Sequence, residues 1–217
     1  MFKKTIDYSR NRKTYDSYSL EVEKLVSEGS RVLDVGCTTG KLARALKRKK
    51  CSVVGIDIDP EALKQAAKYS EFTVRADLDN LVDLRKKLKG EKFDVIVFSD
   101  VLEHLKYPGT ILFELKKYLK LDGIIIAQIP NSGFIWLRTR FALGNFSYSK
   151  TGGLMDEEHL RFFSFKTAKV LFQDSGLKPN MVYGVSQVRR RYFFLRLLSK
   201  IWSTLFAIHI IIVASKK

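Results

Sequence analysis

A chain of 217 residues is long enough to bury a full hydrophobic core and short enough to form one domain. A hydrophobic fraction of 46% argues against intrinsic disorder, and two cysteines are too few for a disulfide framework and suggest a reducing compartment. The formal charge of +16 is gathered in "KRKK" at 47–50, "LRKKLKG" at 84–90 and "RRR" at 189–191. It reads either as solvated helix faces or as the footprint of an anionic partner: a membrane surface, a phosphorylated substrate or RNA.

The N-terminal "MFKKTIDYSRNRK" lacks the apolar stretch of a signal peptide, so a cytoplasmic protein is expected, with residues 1–30 as an N-terminal helical segment. From residue 31 the pattern alternates. "RVLDVG" is a short apolar run, and the helical "KLARALKRKK" follows with its apolar positions on one side. "SVVGID" is a second β-branched run; Asp59 then caps a helix opened by Pro60. "FTVRADL", "FDVIVFSD" and "GIIIAQIP" read as strands three to five, with helical stretches at about 80–89 and 108–119 between them. Apolar runs joined by helices predict a doubly wound, mostly parallel α/β sheet covered on both faces. Ligands of such sheets sit at the carboxyl ends of the strands.

After Pro130 the alternation pauses, and residues 132–158 form an insertion rich in aromatics, glycines and arginines. A helix at about 164–175, closed by Gly176, and a strand at about 179–185 resume it. Arg196, Lys200 and His209 interrupt the apolar C-terminal stretch, which excludes a transmembrane span. Residues 189–206 read as an amphipathic helix, with Phe194, Leu197, Leu198, Ile201 and Leu205 on one face, and "AIHIIIVA" as a buried final strand. The helix packs on the sheet or lies in the plane of a membrane, a contact favoured by "RRR", Trp202 and Trp136. No repeat or linker divides the chain, so 1–217 reads as a single domain.

"VLDVGCTTG", Val32 to Gly40, carries the first chemical signal: an acid on a strand, then a glycine turn that lets backbone approach a ligand. A dinucleotide fingerprint needs glycines at 36, 38 and 41; Gly36, Thr38 and Lys41 stand there, so that register fails. D-x-G-x-x-x-G fits instead. This turn resembles motif I of the class I S-adenosylmethionine (SAM)-dependent methyltransferases, except that Thr38 replaces the middle glycine, where a negative φ would accommodate it. The resemblance covers nearly the whole chain and implies a Rossmann-like seven-stranded sheet with SAM as cofactor. It further implies that Asp34 faces the methionine amino group, with Gly36, Cys37 and Gly40 forming the close turn. Asp57 would accept from the ribose hydroxyls with Ile58 against the adenine, Asp77 and Leu78 would meet the adenine edge, and Ser99 would line the cofactor.

In "FSDVLEHL", Asp100, Glu103 and His104 have the i, i+3, i+4 spacing that gathers side chains on one side of a helical turn. They are candidates for a divalent metal, which is not expected, or for proton transfer by His104. The segment resembles the E-x-x-E-H motif of the ubiquinone-pathway O-methyltransferases. "GLMDEEHLRFFS" resembles the G-L-x-D-x-x-H-x-R-x-F-[ST] stretch of type 11 and type 23-like methyltransferases, some of which accompany polysaccharide pathways. That likeness places His159 and Arg161 at the acceptor pocket, covered by the insertion, with His159 as a second catalytic candidate that would remove a hydroxyl proton or orient the acceptor; pinning of the insertion to the sheet edge is the alternative. The expected function is methyl transfer from SAM to a small-molecule, glycan or lipid-linked acceptor, at oxygen, with peripheral contact with an anionic membrane as a further option. A non-enzymatic SAM-binding accessory protein is the rival reading. RNA methylation ranks lower, because no N-P-P-Y-type motif follows strand four.

Overall fold

Each short apolar run of the sequence becomes a strand, and alternation within it supplies two cores at once. In strand β1 (Arg31–Val35), Val32 packs on one side of the sheet and Leu33 on the other. The structure, a computed structural model, describes residues 20–150, 152–186, 198 and 201–217. Helix α1 (Leu20–Leu25) precedes β1, and α2 (Lys41–Leu46) leads to β2 (Ser52–Asp57). Helix α3 (Pro60–Ala66), β3 (Phe72–Arg75), α4 (Leu81–Lys87) and β4 (Phe93–Ser99) continue the alternation. Then follow α5 (Pro108–Leu115), β5 (Leu119–Pro130), α6 (Ile135–Ala142), α7 (Phe165–Asp174), β6 (Leu177–Val185) and β7 (His209–Lys216).

The seven strands form one sheet in the order β3-β2-β1-β4-β5-β7-β6. Strands β1 to β5 pair in parallel, and β7 runs antiparallel to both β5 and β6. This is the doubly wound α/β sheet that the alternation predicts. Strand order reverses between β1 and β4, so the carboxyl ends of β1, β2 and β4 border a natural crevice. Local chemistry sets the helix starts. Asp59 Oδ1 accepts from Glu61 N at 2.8 Å with Pro60 in the first turn, and Ser164 and Thr167 form a reciprocal capping box on α7.

The structure departs from the expected elements in two places. The helix expected to reach residue 119 stops at Leu115, and β5 begins at Leu119 rather than 123. Its register against β4 breaks between Phe93 and Val95, and a Cβ on Gly123 would sit 3.0 Å from the Phe93 carbonyl oxygen, so glycine permits the irregular pairing. The insertion contains α6, whose buried Leu137 anchors it.

Asn131 ties the start of that insertion to the C-terminal segment. Its Nδ2 donates to the carbonyls of Thr204 (3.2 Å) and Ala207 (2.8 Å), and its Oδ1 accepts from Gly133 N (2.9 Å). Of the expected N-terminal segment, α1 is described and residues 1–19 lie outside the described residues. Of the expected helix 189–206, Leu198, Ile201 and a short helix Ser203–Phe206 are described; 187–197, 199 and 200 lie outside. The final apolar stretch is a strand, β7, with Ile210 to Ala214 buried. Among the described residues no helix is long and apolar enough to cross a membrane.

Candidate cofactor and acceptor site

Beyond β1 the chain bends through Gly36, Thr38 and Gly40, all in left-handed conformations, with φ of 73°, 45° and 77°. The amides of Gly36 and Cys37 both donate to the Ile56 carbonyl, at 2.8 and 2.9 Å, and stitch the turn to β2. A Cβ on Gly36 would lie 2.6 Å from Val101 Cγ2, and one on Gly40 would lie 2.7 Å from Ala66 Cα. Gly40 therefore lets α2 approach α3; it does not line the cavity.

Thr38 departs from the expected negative φ. A left-handed β-branched residue costs about 1–2 kcal/mol, and the turn holds it there through its amide. Asp57 Oδ2 accepts from Thr38 N at 2.8 Å, and Asp57 Oδ1 accepts from Asp59 N at 2.9 Å. One carboxylate at the end of β2 thus fixes both the first turn and the start of the next loop. Burial pushes its pKa up, while the backbone donors, led by Asp59, pull it back.

A cavity of about 330 Å³ opens at these strand ends. One half is lined by Asp57, Ile58, Ala62, Asp77 and Leu78. Ile58 is 42% exposed, an apolar surface held open between acids rather than folded into the core. Acceptor oxygens flanking an apolar floor fit a ribose and a purine carrying hydroxyl and amino donors, so the residues present suit an adenosine-type ligand. Asp77 also closes its own turn by accepting from Asp79 N at 2.9 Å.

Several expected cofactor residues stand elsewhere. Asp34 is buried in β1 beneath the turn, outside the cavity wall, and burial, then the Asp57 charge, pushes its carboxyl up to about 7. Cys37 turns into a small core with Leu63 and Ala66, and burial raises its thiol far above the ordinary range. A Cβ on Gly55 would sit 2.7 Å from Cys37 Sγ, so strand β2 leaves that space for sulfur. Ser99, the last residue of β4, does not line the cavity; Asp100 does, with φ 54°.

The other half of the cavity is walled by Asp100, Val101, His104, Leu105 and Glu158. Asp100 and His104 share the cavity wall and the Asp100 charge reaches Glu103, but Leu102–His104 is a 3-10 turn and not an α-helical one, and the Asp100 carboxylate is not among the ligand atoms that converge. Asp100 instead accepts from Gln128 Nε2 at 2.7 Å and lies 3.7 Å from His209 Nε2 on β7. Glu103 is buried, and its carbonyl accepts from Leu160 N and Arg161 N, both at 2.9 Å. Arg161 donates to the Lys106 carbonyl at 2.6 Å, so the "HLRF" stretch docks along this loop.

That docking brings His159 to His104, edge to face, with ring centroids 4.9 Å apart. Glu103, His104 and His159 each place one ligand atom within 4.8 Å of the others, a group that has His159 where the spacing suggested Asp100. Both carboxylate oxygens of Glu103 are buried without a hydrogen-bond partner, and burial followed by the Asp100 charge raises its pKa well above the usual range. Burial lowers the pKa of both histidines. His104 Nδ1 lies 3.2 Å from the Glu158 carbonyl oxygen. Val101, Leu105 and Glu158 are wall residues that no sequence pattern singles out; the nearest signal is their adjacency to His104 and His159.

The family model described as a methyltransferase domain matches residues 8–180. A ubiquinone biosynthesis O-methyltransferase from Actinobacillus pleuropneumoniae is 36% identical over 109 residues, 48% of this chain and 47% of that protein. The chain thus spans about half the length of the curated relatives it matches. A SAM-dependent methyltransferase structure from Archaeoglobus fulgidus shares the fold with a TM-score of 0.66 at 19% identity, over 94% of this chain and 97% of that one. A magnesium protoporphyrin IX methyltransferase from Synechocystis with bound SAH aligns with a TM-score of 0.57 at 18% identity, covering 88% and 75% of the two chains. A family match over most of the chain, on a sheet of the same fold with a cavity at its switch point whose lining suits an adenosine-type ligand, gives the assignment: the chain belongs to the class I SAM-dependent methyltransferases.

Proposed function

We propose that the protein moves the methyl group of SAM to an oxygen of a small-molecule, glycan or lipid-linked acceptor. SAM supplies a methyl carbon made electrophilic by its sulfonium. Asp57 would accept from the ribose hydroxyls, Ile58 and Leu78 would hold the adenine, and Asp77 would meet its amino edge. Asp34 would act on the methionine end from beneath the turn formed by Gly36, Cys37 and Gly40.

The observation that carries the choice of oxygen is His104 on the cavity wall with His159 behind it. An Nδ1–H donated to the Glu158 carbonyl, 3.2 Å away, sets the tautomer that presents Nε2 as proton acceptor. The lowered pKa of His104 keeps it neutral at neutral pH, ready to take the proton of an acceptor hydroxyl. His159 packs edge to face behind His104, off the cavity wall, and would position it. Alignment and exclusion of water supply the rest of the rate. The O-methyltransferase relatives support an oxygen acceptor, and the insertion 132–158 ends in Glu158 on the wall, which supports its role as acceptor cover within a single 1–217 domain.

The test is His104→Ala, assayed with methyl-labelled SAM on small-molecule and lipid extracts read by mass spectrometry. Turnover should fall by about 10²- to 10⁴-fold, with SAM affinity kept. Unchanged turnover, or label on nitrogen or RNA, rejects the reading; SAM binding with no labelled product supports the accessory-protein alternative. A second reading rests on the partnerless carboxylate oxygens of Glu103. Glu103, His104 and His159 would hold a divalent cation, whose chemistry there is to acidify an acceptor hydroxyl. Metal content of purified protein, with and without Glu103→Gln, decides it.

A further inference from the structure

Both tryptophans of the chain, Trp136 and Trp202, are exposed, at 53% and 60%. Leu143 and Ile201 are more open still, at 85% and 79%, and Phe146 and Tyr148 stand out beside them in sequence. The fold brings the two source segments together, since Asn131, just before the insertion, donates to the Thr204 and Ala207 carbonyls.

This display is built. Arg140 lies over the Trp136 ring at 4.8 Å and donates to Asn145 Oδ1 and the Ser147 carbonyl, which fixes the loop after α6. Phe146 stacks on Phe141 with centroids 5.0 Å apart. The same two segments carry no acidic residue: none stands between Asp122 and Asp156, and none follows Asp174. Arg138, Arg140 and Lys150 lie in the first.

We propose that the surface made by α6, its following loop and the Ile201–Trp202 region docks the protein in the plane of an anionic lipid bilayer. Tryptophan rings suit the headgroup level, arginines suit lipid phosphates, and acid-free chemistry suits a negative surface. Nearly naked aliphatic side chains, Leu143 and Ile201, suit acyl chains and have no use in stacking on bases. A second copy would bring its own +16 charge against the patch. The insertion that carries this surface also delivers Glu158 to the cavity wall, so docking would set the acceptor side toward the membrane. The proposal stands on surface chemistry and does not require the methyl-transfer reading.

Vesicles of phosphatidylglycerol mixed with phosphatidylcholine, against pure phosphatidylcholine, test it with the full chain. The wild type should co-sediment with the anionic vesicles only, release with added salt, and shift its tryptophan emission to the blue, a signal that comes from this surface alone. Trp136→Ser with Leu143→Ser should lower vesicle affinity by about tenfold or more, and Arg138→Glu should lower it independently. Melting curves of the variants should match the wild type. Absence of co-sedimentation, equal binding to neutral vesicles, or wild-type binding by the double variant overturns the proposal. So does loss, in the same variants, of lipid-free self-association or of RNA retention while vesicles bind neither form.

Discussion

Asp57→Asn separates the two tasks that one carboxylate performs. In the protein, Oδ2 accepts from Thr38 N and Oδ1 from Asp59 N. Asparagine keeps one acceptor and points an NH₂ at the other amide, leaving a partly buried N–H unsatisfied at a cost of about 1–3 kcal/mol. Against this, the variant no longer buries a charge whose pKa burial has already raised. Stability should therefore fall by only about 1 kcal/mol, roughly 2–4 °C in melting temperature for a chain of this size. Loss of charge-assisted bonds to the ribose hydroxyls costs about 1.5–3 kcal/mol, which is about 10- to 100-fold in SAM affinity. Titration calorimetry with SAM reads the second quantity and circular-dichroism melting the first. Asp59→Asn, on the same wall, tells the two acids apart: its amide oxygen still caps Glu61 N, and its loss of SAM affinity should be the smaller of the two. If Asp57→Asn binds SAM within about threefold of wild type while folded, the cofactor is not held at the end of β2 and the reasoning fails.

Thr38→Gly removes a strained φ of 45° and keeps the amide that Asp57 holds, so SAM affinity should be kept or raised and the melting temperature should rise slightly. A calorimetric loss beyond about tenfold would mean that the threonine side chain belongs to the site. Gly40→Ala combines φ 77° with a Cβ 2.7 Å from Ala66 Cα and should cost about 2–4 kcal/mol in urea unfolding; a loss under about 1 kcal/mol contradicts the α2–α3 contact. Asp34, raised from 3.8 to about 7, makes the folded protein bind a proton that the unfolded chain releases in that interval. Its contribution to stability falls as pH rises through the interval and is constant above it. Melting temperature against pH should lose that component in Asp34→Asn, and parallel curves for the two proteins would refute it.

The sheet was legible because buried parallel strands are continuous apolar runs, and the acids Asp57 and Asp77 stand where such strands end. Glu103 with His159 was not legible. Their meeting depends on the "HLRF" amides docking on the Glu103 carbonyl, a contact across the chain that no local pattern encodes. At Asp100 a positive φ and the following 3-10 turn replace the helical geometry that the i, i+3, i+4 rule assumes, so Asp100 stays within electrostatic reach of Glu103 while His159 is the residue whose ligand atom joins Glu103 and His104. Cys37 and Gly40 belong to the turn as the motif implies, but alternation within a tight turn sends one inward to Gly55 and sets the other against α3. Sequence spacing locates a turn; it does not say which way each side chain faces.

The buried sulfur beneath that turn has a practical consequence. Cys37, enclosed and with its thiol shifted far upward, resists maleimides and oxidants, since only the thiolate reacts. Cys51 is half-buried at the amino end of β2, while the cavity lies at the carboxyl end, roughly 20 Å along an extended strand. Of the two cysteines in these 217 residues, Cys51 is therefore the more open to a fluorophore or spin label, and it is remote from the cofactor turn.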